Sequence, residues 1–272
     1  MMLTPQEITT YERDGLLVLP GLFRPAEVET LRTAFERDAL LSGDHRVTES
    51  DGRRVRAVYG SHLRQPAYAA LIRTPRLLGA ARSLLGSEVT LYQLKVNAKP
   101  ALGGEGWSWH QDYSAWRIAD RLPAPLLVNA ALFLDPVDAT NGPLTFVPGS
   151  HRHVLEPADP RGTRRSEQHV DPDDIALSPE QTRALVDLHG VTAPTGPAGT
   201  VILFHPRTVH GSGVNTSPLP RRLVLITYNH VHNAPRPAGV PRPAHLVSHD
   251  AGALRLLDPD ELPGATATDP RR

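Results

Sequence analysis

The sequence has no cysteine among its 272 residues. Disulfide bonds, thiolate metal ligands and a cysteine nucleophile are therefore all excluded. The chain also lacks an excess of charge of either sign, because 29 lysine and arginine residues are matched by 29 aspartate and glutamate residues. With a pI near 7.3, it does not have the charge asymmetry of a general nucleic-acid or membrane-surface binder. We expect neither kind of partner.

Long apolar runs are absent too, and no stretch is long enough to cross a bilayer. The residues at the N-terminus form neither a basic n-region nor an apolar h-region. We therefore expect a cytoplasmic protein. The composition, 40% hydrophobic and 21% charged, is typical of a soluble globular chain. Because no repeat or linker divides the sequence, residues 1–272 are predicted to form one domain.

The first third of the chain carries helix signals. Thr4 and Glu7 have capping-box spacing, and Pro5 stands at the favoured first helical position. Hydrophobic spacing predicts two further helical regions, and Thr74–Pro75 should break the second of them. The predicted elements of this helical preface, about 1–86, are a helix to about residue 13, a strand at 16–19, a helix at 25–40 and a helical region at 66–85.

From residue 86 onward the sequence is typical of a β-rich domain. Apolar or alternating runs are bounded by Gly, Pro, Asn and Asp, at 89–98, 126–134, 144–147, 200–204 and 223–228. Helices followed by many short strands predict an α+β, mainly β protein. We interpret residues 87–232 as a β-sandwich or barrel. The segment 233–272 is predicted to be partly disordered, above all beyond Pro263.

Two polar segments interrupt these elements. Residues 42–60 are rich in arginine and contain glycine, which predicts a loop or ragged hairpin that could act as a lid. Residues 156–182 are rich in Asp, Arg and Pro and too long for a simple connection. We interpret this second segment as an insertion over one mouth of the sheets.

A histidine and an aspartate lie two residues apart in the aromatic segment 107–116. On an extended strand, His110 and Asp112 point to the same side. An imidazole and a carboxylate supply two of the three ligands of a 2-His-1-carboxylate iron site. His210 is a candidate for the third ligand, and Arg221 follows as a cation that could hold a carboxylate co-substrate. A jelly roll returns such distant strands to one cavity.

Four separated motifs together resemble the phytanoyl-CoA dioxygenase family of Fe(II)/2-oxoglutarate oxygenases. They are His110-x-Asp112, the segment 141–151 (Asn-Gly-Pro-Leu-Thr-Phe-Val-Pro-Gly-Ser-His), His210-Gly-Ser and Arg221. The segment 92–100 (Tyr-Gln-Leu-Lys-Val-Asn-Ala-Lys-Pro) is most similar to the ectoine hydroxylase branch. The resemblance implies a double-stranded β-helix, a cupin-like jelly roll with the N-terminal helices packed outside it. It also implies an activity in which O2 is consumed, 2-oxoglutarate is decarboxylated to succinate and CO2, and a C–H bond is hydroxylated.

The resemblance further implies which residues bind the cofactors. His110, Asp112 and His210 are expected to bind Fe(II), while Arg221 and Asn97 are expected to hold 2-oxoglutarate. Because related iron halogenases place chloride where this chain has Asp112, the carboxylate indicates hydroxylation rather than halogenation. A guanidinium suits the far carboxylate of 2-oxoglutarate because it can bind both oxygens.

Three residues match positions near the substrate in the ectoine branch: Gln93, Lys95 and Trp116. Lys95 replaces an arginine there. Arg222 is expected on the opposite face of the strand from Arg221. The resemblance suggests a small polar substrate, such as an amino acid or a derivative of one. A natural-product intermediate or a coenzyme-A thioester is also compatible with the motifs, and the oligomeric state is left open.

Two other functional classes compete with this interpretation. A zinc-dependent hydrolase also uses two histidines and a carboxylate, but it leaves Arg221 and the segment 141–151 without a role. A non-catalytic jelly-roll binding module predicts damaged ligands, whereas all three candidates are intact. Five further histidines are not predicted to be ligands, because of their position or strand parity: His151, His153, His205, His230 and His232.

Overall fold

A computed structural model describes residues 2–158 and 172–257, and in them it places six α-helices and ten β-strands. The helices are α1 Pro5–Asp14, α2 Pro25–Ala39, α3 Pro66–Leu71, α4 Pro75–Leu85, α5 Asp112–Asp120 and α6 Pro179–His189. The strands are β1 Leu16–Leu19, β2 Arg46–Thr48, β3 Val55–Tyr59, β4 Val89–Lys99, β5 Trp107–His110, β6 Leu127–Phe133, β7 Thr145–Phe146, β8 Val201–Phe204, β9 His210–Ser212 and β10 Arg221–His230.

The strands form two antiparallel sheets. The large sheet has the order β1-β8-β6-β10-β4-β3-β2, and the small sheet has the order β5-β9-β7. The sheets pack face to face, since the ring of Phe146 in the small sheet lies 5.2 Å from the ring of Phe204 in the large one. This arrangement is the predicted jelly roll.

The helices of the N-terminal region cover the other face of the large sheet. Val28 of α2 and Leu77 of α4 are buried in one cluster with Leu132 of β6 and Ile226 of β10. Residues next to these on β6 and β10 point the opposite way, toward the small sheet, because side chains alternate along a strand. The helices therefore lie outside the jelly roll, as predicted, and leave its interior to the site.

Local signals set the helix boundaries correctly. Thr4 and Glu7 form the predicted capping box, and Gly15 ends α1 in the left-handed region at φ 73°. The predicted break at Thr74–Pro75 separates α3 from α4. Residues 42–60 contain the hairpin of β2 and β3, which extends the edge of the large sheet through β4. Whether this hairpin acts as a lid stays a prediction.

Two helices differ from the sequence-based expectation. Asp112 is not in a strand with His110, because β5 ends at His110 and α5 begins at Asp112. Helix α6 was missed, although Ser178 and Gln181 form a capping box at its start. It lies partly within the segment interpreted as an insertion, residues 156–182, of which 159–171 fall outside the described part of the chain.

The C-terminal segment 233–257 runs back across the large sheet. The backbone N–H of Leu254 donates to the carbonyl of Val89 at 2.8 Å, and that of Leu257 donates to Arg73. Leu246 and Val247 are buried. The predicted disorder beyond Pro263 lies outside the described residues. Among the described helices, none has the length and apolar character needed to span a membrane.

Candidate metal centre and its cavity

The pairing of β5 with β9 brings the three predicted metal ligands together. His110 and His210 are register partners across these strands, and their ring centroids lie 4.3 Å apart. Asp112 opens α5 just beyond, with Oδ1 3.5 Å from Nε2 of His110 and Oδ2 3.7 Å from Nε2 of His210. One ligand atom from each residue lies within 4.8 Å of the others.

Backbone carbonyls orient both imidazoles toward the centre. Nδ1 of His110 lies 2.6 Å from the carbonyl oxygen of Ser108, and Nδ1 of His210 lies 2.9 Å from that of Thr208. A carbonyl can only accept, so each Nδ1 carries a proton, and each Nε2 lies on the side of Asp112. Burial, together with the neighbouring His110, lowers the pKa of His210 to about 4. The His210 imidazole is therefore neutral near pH 7.

Asp112 is held as a carboxylate by its neighbours. Burial alone would raise the pKa of Asp112, but the adjacent His210 and His110 hold that pKa well below its usual range. Nδ2 of Asn129 donates to Asp112 Oδ2 at 2.8 Å, and the hydroxyl of Thr227 donates to Asn129 Oδ1 at 2.7 Å. This relay fixes the orientation of the Asp112 carboxylate.

Asn129 and Thr227 were not identified from the sequence. Both stand at positions of β6 and β10 that face the small sheet, among apolar neighbours. A buried polar residue within an otherwise apolar strand was the available signal, but its partner becomes visible only in the fold.

The three ligands suit a ferrous ion. Two imidazole nitrogens and one carboxylate oxygen converge on one point, which is the donor set of the facial 2-His-1-carboxylate triad. Their second contacts, to backbone carbonyls and to Asn129, are of the kind that orients ligands in metalloproteins.

A cavity surrounds this centre and is lined by the alternating face of β4. Gln93, Lys95 and Asn97 all point into it. The remaining lining residues are Trp107, His110, Asp112, Trp116, Asn129, Leu144, Phe204, His210, Gly211, Ser212, Arg221, Leu225 and Thr227. All the residues predicted to bind iron, 2-oxoglutarate or substrate therefore share one cavity.

Arg221 is a buried cation in the wall of this cavity. It is 1% exposed, and burial lowers the pKa of its guanidinium to about 9. Nη2 donates to the carbonyl of Gly142 at 2.7 Å, while Nε has no hydrogen-bond partner. Within the described chain no carboxylate lies within 4.0 Å of it. Arg222, on the opposite face as predicted, instead pairs with Asp135 at 2.7 Å.

Two further polar atoms in the cavity wall have no partner. Oδ1 of Asn97 and Oγ of Ser212 are buried without hydrogen bonds in the described structure. Ser212 was missed from the sequence, although it lies two residues after His210 and so shares its face of β9. Orphaned polar groups beside a buried cation are typical of a ligand site.

The family model described as Phytanoyl-CoA dioxygenase (PhyH) matches residues 11–223. The chain belongs to the phytanoyl-CoA dioxygenase family. The resemblance seen in the four sequence motifs is thereby confirmed.

Relatives in this family align over nearly the whole chain. An L-proline trans-4-hydroxylase of Streptomyces griseoviridis is 40% identical, covering 93% of this chain and 95% of the relative. An ectoine dioxygenase of Bordetella bronchiseptica is 35% identical, covering 94% of this chain and 86% of the relative. The structure of EctD from S. alaskensis with 2-oxoglutarate and 5-hydroxyectoine is 33% identical with a TM-score of 0.83, covering 94% and 87%. This likeness confirms the fold.

One side of this phytanoyl-CoA dioxygenase cavity is polar and aromatic. Nε2 of Gln93 donates to the carbonyl of Leu246 at 2.6 Å, which leaves Oε1 as an acceptor without a partner in the described residues. Nζ of Lys95 lies 5.8 Å from the ring centroids of Tyr59 and Trp107. Trp116 packs 5.0 Å from the ring of Tyr92 and closes this side.

The other histidines in the described part of this family member take no part in the centre. Within the described residues, the one group of three metal-ligand side chains is His110, Asp112 and His210. Nε2 of His151 contacts the carbonyl of Glu12 at 3.1 Å, and Nε2 of His153 lies 3.0 Å from Nε2 of His189. These contacts connect the segment 149–153 to α1 and α6.

Proposed function

We propose that this chain is an Fe(II)- and 2-oxoglutarate-dependent dioxygenase that hydroxylates a C–H bond of a small polar molecule, an amino acid or a close derivative. The observation that carries the proposal is the convergence of His110, Asp112 and His210 in a cavity whose wall contains the buried cation Arg221. The relatives named L-proline trans-4-hydroxylase and ectoine dioxygenase belong to this reaction class.

His110, Asp112 and His210 would hold ferrous iron through Nε2, a carboxylate oxygen and Nε2. When bound, iron together with O2 and 2-oxoglutarate supplies the oxidising power, and the co-substrate leaves as succinate and CO2. Three ligands on one face leave adjacent coordination positions open for co-substrate and O2. Asp112 offsets one of the two positive charges and is itself held by Asn129.

Arg221 is assigned to the distal carboxylate of 2-oxoglutarate. Its guanidinium is buried without an acidic partner in the described chain, a state that an incoming carboxylate would relieve. Asn97 and Ser212 each present an unpartnered polar atom in the same wall. We assign both to the co-substrate.

The substrate is assigned to the side formed by Gln93, Lys95 and Trp116. Lys95 offers a positive charge, and Oε1 of Gln93 offers an acceptor because its Nε2 is used by Leu246. This pair suits a carboxylate and an N–H group in one small molecule. Trp116 supplies an apolar wall for the carbon that is oxidised. L-Proline and ectoine both carry a carboxylate and ring nitrogens, and they are the first candidates.

The test is a screen for substrate-dependent succinate release under air, with L-proline, ectoine and their analogues that lack the carboxylate. We expect succinate release with a compound that carries the carboxylate and none with its analogue that lacks it. The Asp112→Ala variant should release no succinate with either. If no amino acid or derivative stimulates release above the substrate-free rate, the substrate assignment is wrong.

A requirement for O2 distinguishes the proposed enzyme from the zinc-hydrolase alternative. A hydrolase on the same residues would keep its turnover under strict anaerobiosis, whereas the proposed enzyme would lose it. A binding module would release no succinate at all. A cytoplasmic location and a place in natural-product biosynthesis stay predictions of the sequence.

A further inference from the structure

The substrate side of the cavity extends into a second lobe. This lobe shares His110, Asp112 and Trp116 with the part described above. The lining residues that it adds are Tyr59, Ala115, Ile175 and Arg242. Ala115 and Ile175 form its aliphatic wall, and neither has a role in the proposed function.

Ile175 reaches the cavity from outside the jelly roll. It is the last residue of a 3-10 turn, Pro172–Ile175, which lies between β7 and α6. Its side chain is 4% exposed and is buried in one cluster with Ala115 and Trp116 of α5 and with Leu246 of the C-terminal segment. A β-branched side chain has a restricted χ1 angle, and close packing on several sides leaves it little room to move. Ile175 therefore forms a rigid wall.

Hydrogen bonds connect this turn to the strand that carries His110. The backbone N–H of Leu177 donates to the carbonyl of Trp109 at 2.9 Å, and the hydroxyl of Ser108 donates to the carboxylate of Asp173. The carbonyl of Ser108 is also the acceptor for Nδ1 of His110. One residue of β5 thus orients a metal ligand and anchors the turn. The aliphatic wall therefore stands at a fixed distance from the metal centre.

A substrate in this cavity would be held at two points. Lys95 and Gln93 are assigned to its polar end, and the carbon that is oxidised must face the metal centre. A further methylene in a ring would then be directed toward the second lobe, where the aliphatic wall has little room to move. In an apolar pocket, one methylene changes the discrimination between substrates by about 10-fold to 200-fold.

We propose that Ile175 is a specificity-determining residue that limits the ring size of the cyclic amino acid accepted by the enzyme. This proposal rests on the proposed function, because it takes Lys95, Gln93 and the metal centre as the points that hold the substrate. The first candidates, L-proline and ectoine, are both rings. Shortening Ile175 should admit rings with at least one additional methylene.

The experiment compares four cyclic amino acids that differ by one methylene each: L-azetidine-2-carboxylate, L-proline, L-pipecolate and L-azepane-2-carboxylate. Their dissociation constants are measured by calorimetry without oxygen on protein loaded with Mn(II) and 2-oxoglutarate, so that binding is separated from turnover. The proteins are the wild type, Ile175→Ala and Ile175→Val. The matched control is Ile118→Ala, since Ile118 packs against the same cluster but does not line either lobe of the cavity.

In the wild type we expect a largest ring that binds well and a loss of affinity of at least about tenfold for the next homologue. Ile175→Ala should recover at least about tenfold of that loss, because the deleted carbons leave room for the added methylene. Ile175→Val should act in the same direction and more weakly. Ile118→Ala should keep the wild-type ratios between ring sizes. The affinity for 2-oxoglutarate without substrate should be the same in all four proteins.

A folded Ile175→Ala protein with the wild-type ratios between ring sizes would overturn the proposal. If this variant does not fold, Ile175→Val decides, and wild-type ratios in that protein overturn the proposal equally. It is also overturned if the wild type binds all four rings equally, or if Ile118→Ala changes the ratios as much as Ile175→Ala does.

The same measurements separate this proposal from the proposed function. A wild type that binds Mn(II) and 2-oxoglutarate but none of the four rings would refute the limit set by Ile175 and leave the metal and co-substrate assignments intact. A wild type that binds Mn(II) but not 2-oxoglutarate would refute the proposed function itself.

Discussion

Asp112 illustrates how single residues at this site depend on their neighbours. Burial disfavours its charge, while His210 and His110 favour it, and the low pKa shows that the imidazoles prevail. The amide of Asn129 and the hydroxyl of Thr227 then fix which oxygen faces the metal position. Affinity for the metal should therefore depend on residues that never touch it.

Replacing Asn129 by alanine should lower iron affinity about 10-fold to 100-fold, because Asp112 loses the donor that orients it. Thr227→Val should have a smaller effect in the same direction, since it acts through Asn129. Calorimetric titration with Fe(II) under nitrogen measures both. Asn97→Ala is the control, with wild-type iron affinity when 2-oxoglutarate is absent. An Asn129→Ala protein that binds iron like the wild type would show that the relay has no role in orienting Asp112.

Adjacent arginines of β10 should respond to the same substitution in different ways. Arg221→Met should raise the KM for 2-oxoglutarate about a hundredfold, because a desolvated carboxylate loses its counterion. Arg222→Met should leave that KM unchanged but lower the free energy of unfolding by about 2 kcal/mol, because Asp135 loses its bidentate partner and keeps the weaker contact with Arg32 Nε at 3.5 Å. Steady-state kinetics and denaturant unfolding test the pair. If Arg222→Met raised the KM as strongly, the co-substrate assignment would move to Arg222.

The sequence identified the site residues that belong to spaced motifs. It did not identify a residue whose role follows from a missing hydrogen-bond partner. His110, Asp112, His210 and Arg221 were found by order and spacing, and the structure places all four around one cavity. Ser212 was given no role from the sequence, because a buried hydroxyl without a hydrogen-bond partner becomes visible only when the surrounding chain is in place.

At the scale of single elements, the segment 107–116 changes from strand to helix between the two candidate metal ligands that it carries, His110 and Asp112. The expectation of one extended strand for His110 and Asp112 was wrong, since α5 begins at Asp112. A carboxylate in the first turn of a helix is favoured by the helix dipole, so the acid is compatible with both conformations. Spacing alone could not distinguish them, because either brings residues 110 and 112 near one point.

The C-terminal segment is an element that sequence patterns did not resolve. We define residues 233–257 as the C-terminal strap. Its Arg242 binds Asp120, the last residue of α5, through Nε at 2.9 Å and Nη2 at 2.6 Å, and its Leu246 carbonyl holds Gln93. The packing of this strap is made by contacts with residues about 120–180 positions earlier, which no local pattern encodes.

Loss of the contact between Arg242 and Asp120 should raise the KM for the substrate more than the KM for the co-substrate. We expect Arg242→Gln to raise the KM for the substrate about tenfold through the loss of the fixed Gln93 amide, a cost near that of one buried hydrogen bond. The KM for 2-oxoglutarate should change less than about twofold, since Arg221 lies elsewhere in the cavity. The control is Arg236→Gln, an exposed side chain of the same strap. Equal changes in both KM values for Arg242→Gln would contradict this division of the cavity.

At the scale of the whole molecule, the strand order explains how distant residues meet. β4 and β6 flank β10 in the large sheet, so Asn97, Asn129 and Arg221 face one interior although they span nearly half the chain. The helical preface and the β-rich domain were predicted from sequence patterns, and the jelly roll from the separation of the candidate ligands and from the family resemblance. The strand order was not, because residue patterns define strands but not which strands pair.

The continuous core predicts one cooperative unfolding transition. The largest cluster joins α1, α2, α3 and α4 to both halves of the large sheet, so the preface should not unfold separately. Adding Fe(II) and 2-oxoglutarate, each at about 100 times its dissociation constant, should stabilise the fold by about 2.7 kcal/mol per ligand. Calorimetric scans under nitrogen test both points, with Asp112→Ala expected to lose the stabilisation. Two separated transitions would contradict the single domain predicted for residues 1–272.

The central claim is that His110, Asp112 and His210 hold one ferrous ion to which 2-oxoglutarate binds. The most direct measurement is a titration of the metal-free protein with Fe(II) and 2-oxoglutarate under nitrogen, followed by visible absorption. We predict a weak charge-transfer band that requires both components and is absent from His210→Ala and Asp112→Ala. No band in the wild type, or the same band in both variants, would contradict the claim.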